Sequence, residues 1–421
     1  MLTRFKYFAL RNIQSHTPKA SLAQSVRYIK KKKRTIKRED DFDGGEDAPD
    51  MGSQSEAVAS LLKMFNPSEE DVKRMNEARD FSMKKYDTNL QSNIETYPHL
   101  FSKQAPDVIS PSDKNKLSLI SIPDYENYFS IDGFGGNLDR TFLFLFQRAL
   151  LIRQQTIELA QSLHARFNNQ QDQVKGHLVT GAKGSGTSCI LNTLVHHAHK
   201  NNFIVFYIPS GKYWTHGSHI IHMNSTGLYE APICTFKWLR SFFASNKHLL
   251  KKMPTHGLLD NHSNLYELCE WGASSLENST VAFKTVLDEL YIDTSTKMVF
   301  AIDDYDALQD YSHFHLGELT HIDQTGYRLK HVHGKEYVLV EFLDRIMMQN
   351  SPNRFFVGAQ SVEKSVKDAP LSIVTVPDVY DPQELNVMVE YYKSCFKDVS
   401  VKDELMNPGK LIDDLINNGR F

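Results

Sequence analysis

The chain has 421 residues, of which 41% are hydrophobic, so it can bury a substantial core in roughly two or three structural units. No apolar stretch reaches membrane-spanning length, which argues against a transmembrane role. The most apolar candidate, residues 142–152, contains Gln147 and Arg148 and is predicted to be a buried helix. Four cysteines lie far apart without any Cys-x-x-Cys pair, which argues against a zinc knuckle and a disulfide framework.

Charge is distributed unevenly along the chain. Residues 1–38 hold twelve Lys or Arg and no acid, whereas the remaining residues carry 36 basic and 51 acidic side chains, a net charge of −15. An opening segment with spaced basic residues, hydroxyl and apolar residues and no acid is typical of a mitochondrial transit peptide, which we predict over residues 1–28. A disordered basic tail is the alternative.

A basic cluster follows the predicted transit peptide. Its members are Lys30, Lys31, Lys32, Lys33 and Arg34. Such a run neutralises phosphates and gives RNA affinity that does not depend on sequence, so we predict RNA contact here. The alternatives are a solvated tail or a nuclear import signal. The acidic tract up to Asp50 predicts a disordered linker, so residues 29–50 form a basic arm and an acidic linker.

The next part of the chain is predicted to be extended, with short helices, over residues 51–137. A capping-box pattern at Ser68 predicts a helix towards Lys85. From Leu138 to Phe167 the apolar spacing predicts one long helix or two abutting helices.

Alternating strand-like and helical stretches predict an α/β domain with a mostly parallel sheet over residues 138–376. The strand-like runs cover residues 176–179, 203–208, 298–302, 354–357 and 372–376. The long interval 212–297 predicts an elaborated insertion with a helix at 281–291. Asp381 before Pro382 and Glu384 predicts a capped helix to Phe396, within a C-terminal helical lid over residues 377–421.

The most informative motif follows the first strand-like run and reads Gly-Ala-Lys-Gly-Ser-Gly-Thr-Ser. In the phosphate-loop pattern, backbone N–H groups surround the phosphates, a lysine reaches the outer ones and a hydroxyl meets magnesium. Here Thr187 stands where that lysine belongs, whereas Ser188 has the expected offset. The predicted nucleotide-binding residues are Gly181, Ala182, Lys183, Gly184, Ser185, Gly186, Thr187 and Ser188.

Two alternatives bear on this loop. Its glycines also suit an ordinary strand-to-helix turn, since glycine adopts positive φ at little cost. Without the lysine ammonium, the outer phosphates lose a pre-placed positive charge that stabilises phosphoryl transfer. The sequence therefore predicts a P-loop fold that binds a nucleotide with weak or absent turnover, and we assign no catalytic residue.

A second signal is the apolar run 298–302, which ends in Asp303 and Asp304. A carboxylate after such a strand orients magnesium opposite a phosphate loop, so Asp303 and Ser188 are the predicted metal ligands. Asp304 stands where many ATPases keep a water-activating Glu, and its shorter side chain argues against catalysis. The guanine-reading Asn-Lys-x-Asp motif is missing, so GTP or GDP and ATP, each with Mg²⁺, stay open as cofactors.

Five separated blocks of the sequence bear on its family, at residues 181–188, 203–214, 301–308, 380–392 and 405–409. Together they resemble the mitochondrial small-subunit ribosomal protein family also called death-associated protein three, in a fungal-like version. The resemblance implies an AAA-like P-loop fold and a place in the head of the small subunit of the mitochondrial ribosome, in the matrix. It also implies contacts with small-subunit rRNA and neighbouring ribosomal proteins and a guanine nucleotide, and it leaves contact with the large subunit open.

The resemblance implies a structural role in mitochondrial translation. Family members usually keep the lysine that Thr187 replaces here. The second hypothesis is an AAA-type remodelling enzyme of the matrix that hydrolyses ATP, which needs a catalytic acid and an arginine finger from a neighbour. A third is a signalling switch, which needs conformational populations that depend on nucleotide.

Overall fold

The computed structural model describes residues 94–102, 109–135, 138–145, 147–168, 174–217, 221–259, 262–323, 326–349, 351–361 and 371–396. The predicted transit peptide, the basic arm, the acidic linker, the helix from Ser68 and the last 25 residues, 397–421, lie outside these ranges.

Helices and strands alternate along most of the described chain. The strands are β1 (Lys116–Leu119), β2 (Ala149–Ile152), β3 (Gly176–Gly181), β4 (Ile204–Ile208), β5 (His222–Met223), β6 (Tyr229–Glu230), β7 (Met298–Ile302), β8 (Tyr311–Asp323), β9 (Gly326–His333), β10 (Arg354–Ser361) and β11 (Ser372–Thr375). The helices are α1 (Ile122–Tyr128), α2 (Leu138–Leu145), α3 (Gln154–Phe167), α4 (Thr187–Lys200), α5 (Pro232–Leu250), α6 (Leu265–Ser274), α7 (Leu276–Ile292), α8 (Tyr305–Leu308), α9 (Val338–Met348) and α10 (Pro382–Phe396).

Five strands form one parallel sheet in the order β11, β3, β10, β7, β4. All five strand-like runs predicted from the sequence are confirmed, and so is the α/β class. Because the strands are parallel, the loops that follow β3 and β7 emerge at the same edge of the sheet, with the end of β10 between them.

The sheet is covered on both faces, as its continuous apolar strands require. On β7, Val299 and Ala301 pack in a core with helices α1 to α4, whereas Phe300 and Ile302 point to a second core with α5, α6, α7 and α9. Trp238 of α5 belongs to this second core. The interval between β4 and β7 is therefore a packed helical insertion, and its predicted helix at 281–291 is confirmed within α7.

The sequence prediction was wrong between Leu138 and Phe167. Residues 142–152 do not form one buried helix, because α2 ends at Leu145 and residues 149–152 form strand β2. All four residues of β2 are buried, and the strand pairs antiparallel with β1. A short run of apolar residues suits a buried helix or a buried strand equally well, and here a partner strand about thirty residues upstream decided the outcome.

The C-terminal helix α10 is confirmed with the predicted bounds. Asp381 Oδ1 accepts hydrogen bonds from the N–H groups of Gln383 and Glu384, both at 2.8 Å, which is the predicted N-cap. Tyr391 and Met388 pack against Leu117 and Leu151, so α10 shares a small core with the β1–β2 pair. None of the described helices has the length and apolar character needed to cross a bilayer.

Candidate nucleotide-binding site

The glycine-rich loop has the local geometry that the motif predicts. Strand β3 ends at Gly181 and helix α4 begins at Thr187. Gly184 and Gly186 have φ angles of 90° and 97°, in the left-handed region where glycine is favoured. The Ser185 N–H donates to the Ala182 carbonyl at 2.9 Å and closes the turn. The first N–H groups of α4 have no acceptor within the helix, as at every helix start, and are available to an anion.

The polar side chains of the loop differ in exposure. Lys183 is exposed and Thr187 is partly exposed, whereas Ser185 is 5% exposed. The Ser185 hydroxyl is buried without a hydrogen-bond partner. A buried hydroxyl without a hydrogen-bond partner destabilises the folded protein, and a ligand oxygen that accepted its hydrogen bond would remove this penalty.

Asp303 lies at the carboxyl end of β7 and is 4% exposed. Its Oδ1 accepts the Asp304 N–H at 3.0 Å, and its carboxyl group is hydrogen-bonded to the Ser188 side chain. Burial raises the pKa of Asp303 to about 7, and the nearby Asp304 charge adds to the rise, although the bond to Ser188 opposes it. Sequence prediction had placed these two side chains together, and the structure brings them into contact.

The Asp303 and Ser188 oxygens fit the chemistry of a magnesium site. Asp303 Oδ2 is buried without a hydrogen-bond partner, and hard oxygen ligands of this kind suit Mg²⁺. Within the described ranges, no group of three or more His, Cys, Asp or Glu side chains could hold a metal ion. A magnesium ion here would therefore take its other ligands from phosphate oxygens and water.

Asp304 does not stand free as a water-activating base. Its backbone has a φ of 51°, in the left-handed region, where helix α8 begins. Lys212 Nζ lies 2.8 Å from Asp304 Oδ1, and the Ser210 hydroxyl donates to Oδ2 at 2.8 Å. Both carboxylate oxygens are therefore engaged by the segment that follows β4.

The backbone at Gly135 also belongs to this site, which sequence reasoning missed. The Gly135 N–H donates to Tyr207 Oη at 3.1 Å, and Tyr207 donates to Asn192 Oδ1 at 2.7 Å. Asn192 Nδ2 in turn donates to the Ser188 carbonyl at 2.7 Å. A hydrogen-bonded chain thus joins the segment before α2 to the start of α4. The glycine-rich run at 133–136 was the available signal, since it marks a close approach of backbone.

Arg153 is the second residue that sequence reasoning missed. This side chain is 4% exposed and lies between the glycine-rich loop and α10. Its Nε and Nη2 donate to the Glu384 carboxylate at 2.9 and 3.0 Å, and its Nη1 donates to the Ser185 carbonyl at 2.8 Å. Its guanidinium also lies over the Tyr380 ring, 5.0 Å from the centroid. Arg153 therefore fixes the outer side of the loop to the C-terminal helix.

Residues 150–332 match the model of the family described as mitochondrial ribosomal death-associated protein 3. This is the family that the sequence blocks resemble. The matched segment contains three of the five blocks that carried the prediction, at residues 181–188, 203–214 and 301–308.

Curated relatives include proteins named small ribosomal subunit protein mS29. The protein from Bos taurus is 22% identical over 175 residues, which cover 38% of this chain and 44% of the relative, and the one from Mus musculus gives the same values. The protein from Neurospora crassa is 27% identical over 110 residues, which cover 26% of this chain and 23% of the relative. The matched segment thus spans less than half the length of each relative.

Proposed function

We propose that this protein is a structural component of the small subunit of the mitochondrial ribosome, in the mitochondrial matrix, and supports translation there. The observation that carries the proposal is the family match over residues 150–332, together with relatives named as proteins of the small ribosomal subunit. Its partners would be small-subunit rRNA and neighbouring ribosomal proteins in the subunit head. The basic arm at 30–34 is the candidate for sequence-independent RNA contact.

The proposal includes an AAA-like P-loop fold whose pocket binds a purine nucleotide without significant turnover. Three features support binding: the unpaired N–H groups at the start of α4, the buried Ser185 hydroxyl, and the contact between Ser188 and Asp303. Two features argue against turnover. Thr187 supplies no ammonium to the outer phosphates, and Asp304 is held by Lys212 and Ser210.

The same two features disfavour an ATP-hydrolysing remodelling enzyme. Such an enzyme needs a carboxylate that activates water, and the candidate carboxylate is already bonded on both oxygens. Steady-state phosphate release by the purified full chain would decide between the two functions, because the ribosomal role predicts none above background.

The ribosomal role is tested by sedimentation of mitochondrial extracts in a sucrose gradient. The tagged chain should migrate with small-subunit rRNA, and depletion of the chain should lower the amount of assembled small subunit. A chain that remains at the top of the gradient, free of small subunits, contradicts the proposal. Mass spectrometry of the purified particle would identify any nucleotide that accompanies it.

A further inference from the structure

The two edges of the central sheet differ in how the chain covers them. At the β4 edge, all five strand residues are buried, and the Asn246 side chain bonds to both the N–H and the C=O of Val205. At the β11 edge, Ser372, Ile373 and Thr375 are exposed, and no described strand pairs with the outer side of β11. The chain itself covers the first edge and leaves the second open to a partner.

The parallel pairing of β11 with β3 fixes which backbone groups face the open side. The Val376 N–H donates to the Thr180 carbonyl at 2.7 Å, and Thr375 lies opposite Thr180 in the register. Alternate residues of a parallel strand bond to the neighbouring strand, so Val374 and Val376 face β3. The N–H and C=O groups of Ile373 and Thr375 therefore point away from the sheet, where the described part of the chain supplies no backbone partner.

The open edge lacks most of the features that keep other strands away. Soluble proteins protect an edge strand by making it short, or with charged residues, proline or a bulge. Strand β11 is short, but residues 371–376 contain no charged residue and no proline, and the register with β3 has no bulge. Ile373 is 63% exposed and lies on the opposite face of the sheet from Val374, which packs against the core. An exposed aliphatic side chain thus stands beside free backbone donors and acceptors.

We propose that β11 binds an extended segment of another protein, which joins the five-stranded sheet as a further strand. The backbone of a strand offers N–H and C=O groups at the two-residue spacing of Ile373 and Thr375, so all outward groups of both residues are paired. The added segment is uncharged and places an aliphatic side chain beside Ile373, because neighbouring side chains on one face of a sheet contact each other. The identity of this partner as a neighbouring protein of the small subunit rests on the proposed ribosomal function.

Two other occupants fit these observations less well. RNA binding relies on basic side chains, and residues 371–379 contain none, whereas Asp378 adds a negative charge. A second copy of this chain, paired β11 to β11, would depend on a four-residue strand, although stable interfaces between proteins bury about 1,200 Å² or more. A neighbour that other contacts already hold in the same assembly needs no such area at β11, because its effective concentration there is high.

Thr375 allows a test that separates the outward hydrogen bonds from the fold. A benzophenone side chain at Ser372 of the full chain, irradiated in mitochondrial extracts, should crosslink to one continuous segment of another protein. A synthetic peptide of that segment should bind the purified full chain. Thr375→Pro removes an outward N–H and spares the bonds to β3, so it should weaken peptide binding at least about tenfold in calorimetry. Thr375→Ala, the matched control, keeps the N–H and should bind nearly as the unchanged chain does.

Amide hydrogen exchange of the unchanged chain gives a second readout, which decides the question even where Thr375→Pro does not fold. With the peptide bound, the Ile373 and Thr375 amides should exchange at least about tenfold more slowly, because a new strand accepts their hydrogen bonds.

Several outcomes overturn the proposal: no crosslink, a crosslink to rRNA or to a second copy of this chain, equal peptide binding by Thr375→Pro, or unchanged exchange of both amides. A crosslink to a protein outside the ribosome, with the expected loss in Thr375→Pro, supports strand addition and contradicts the ribosomal function alone.

Discussion

The backbone of Gly135 lies directly against Oδ2 of Asp303, the carboxylate oxygen that has no hydrogen-bond partner. A Cβ atom at Gly135 would overlap this oxygen and would lie 2.7 Å from the Pro209 carbonyl oxygen. The segment before α2 thus covers the candidate metal ligand, and only a residue without a side chain leaves room for both.

Replacement of Gly135 by alanine should destabilise the protein. Forced overlap in a packed interior costs about 1–3 kcal/mol, so we expect Gly135→Ala to lower the free energy of unfolding by that amount in urea denaturation. The matched background is Asp303→Ala, which removes the overlapping carboxylate. There the penalty of Gly135→Ala should be smaller by at least about 0.5 kcal/mol, and an equal penalty in both backgrounds would show that the two residues do not interact.

The raised pKa of Asp303 predicts a particular dependence of stability on pH. The folded protein holds this proton up to about pH 7, whereas the unfolded chain releases it near the ordinary value of 3.8. Between these values the folded state binds more protons, so the contribution of Asp303 to the free energy of unfolding falls as pH rises. Burial of an ionised carboxyl at pH 8 then costs at most about 4 kcal/mol.

Asp303→Asn removes this titration, so the variant should be more stable than the unchanged chain at pH 8 and should lose the advantage near pH 4. Thermal unfolding across this range in metal-free buffer measures the difference.

Asp293→Asn is the control, for which the expected change in stability at pH 8 has the opposite sign. Burial raises the pKa of Asp293, but hydrogen bonds from Thr296 and Ser295 outweigh it and leave the pKa below its usual value. That variant should lose stability at pH 8, and a gain there for Asp293→Asn or a loss for Asp303→Asn would contradict the assignment.

Much of the fold could be predicted because the decisive signals are local. The five central strands are short apolar runs beside turn residues, and the capped start of α10 at Asp381 needs only neighbours within three residues. Strand β2 could not be recognised, because its short apolar run suits a buried helix equally well and only its pairing with β1 decides between them. Local patterns also predicted both residues of the Ser188–Asp303 contact.

No local pattern in the sequence shows which residues the missed site residues contact. Arg153 follows an apolar strand, and nothing near it in sequence shows that Glu384 will meet it 231 residues later. Gly135 stands in a visible glycine-rich run, but that run does not reveal which carboxylate it approaches. Such contacts depend on tertiary packing between distant segments, which one sequence does not encode in a readable pattern.

Removal of one partner of the Arg153–Glu384 pair should lower the free energy of unfolding by a large amount. Both side chains are about 5% exposed, so Arg153→Met leaves a buried carboxylate without its cation and should cost about 3–5 kcal/mol. Urea denaturation measures the loss, and amide exchange in α10 should accelerate. The double variant with Glu384→Met should regain part of the lost stability, because no buried charge then remains unpaired.

The control for this prediction is Arg345→Met. Arg345 also pairs with a carboxylate, Asp288, at 3.1 Å, but these side chains are 38% and 33% exposed. The loss there should stay below about 1 kcal/mol. Equal losses of unfolding free energy in Arg153→Met and Arg345→Met would mean that burial of the Arg153–Glu384 pair does not determine its contribution to stability.

The Asn246 side chain hydrogen-bonds to the backbone of β4, the last strand in the order of the sheet. Its side chain accepts the Val205 N–H at 2.9 Å and donates to the Val205 carbonyl at 3.0 Å, as a neighbouring strand would. Asn246→Leu should therefore leave both backbone groups unsatisfied and cost about 1–3 kcal/mol in the free energy of unfolding. Asn353→Leu, which loses a hydrogen bond to the Thr294 carbonyl at the surface, should cost much less. A small effect of Asn246→Leu would show that water satisfies this edge.

Restoration of the missing lysine tests whether the glycine-rich loop still binds phosphates. Thr187 is the first residue of α4, so Thr187→Lys places an ammonium where the phosphate-loop pattern requires one. If the loop keeps the geometry of a phosphate site, this charge should tighten binding of a magnesium nucleotide at least about tenfold, because contacts of this kind contribute several kcal/mol. Calorimetric titration of the full chain with GTP, GDP and ATP measures the change and identifies the preferred base.

The control is Thr226→Lys, which adds the same charge in a remote surface turn and should leave nucleotide affinity unchanged. If neither the unchanged chain nor Thr187→Lys binds any of the three, the loop between β3 and α4 is a strand-to-helix turn that no longer serves a nucleotide.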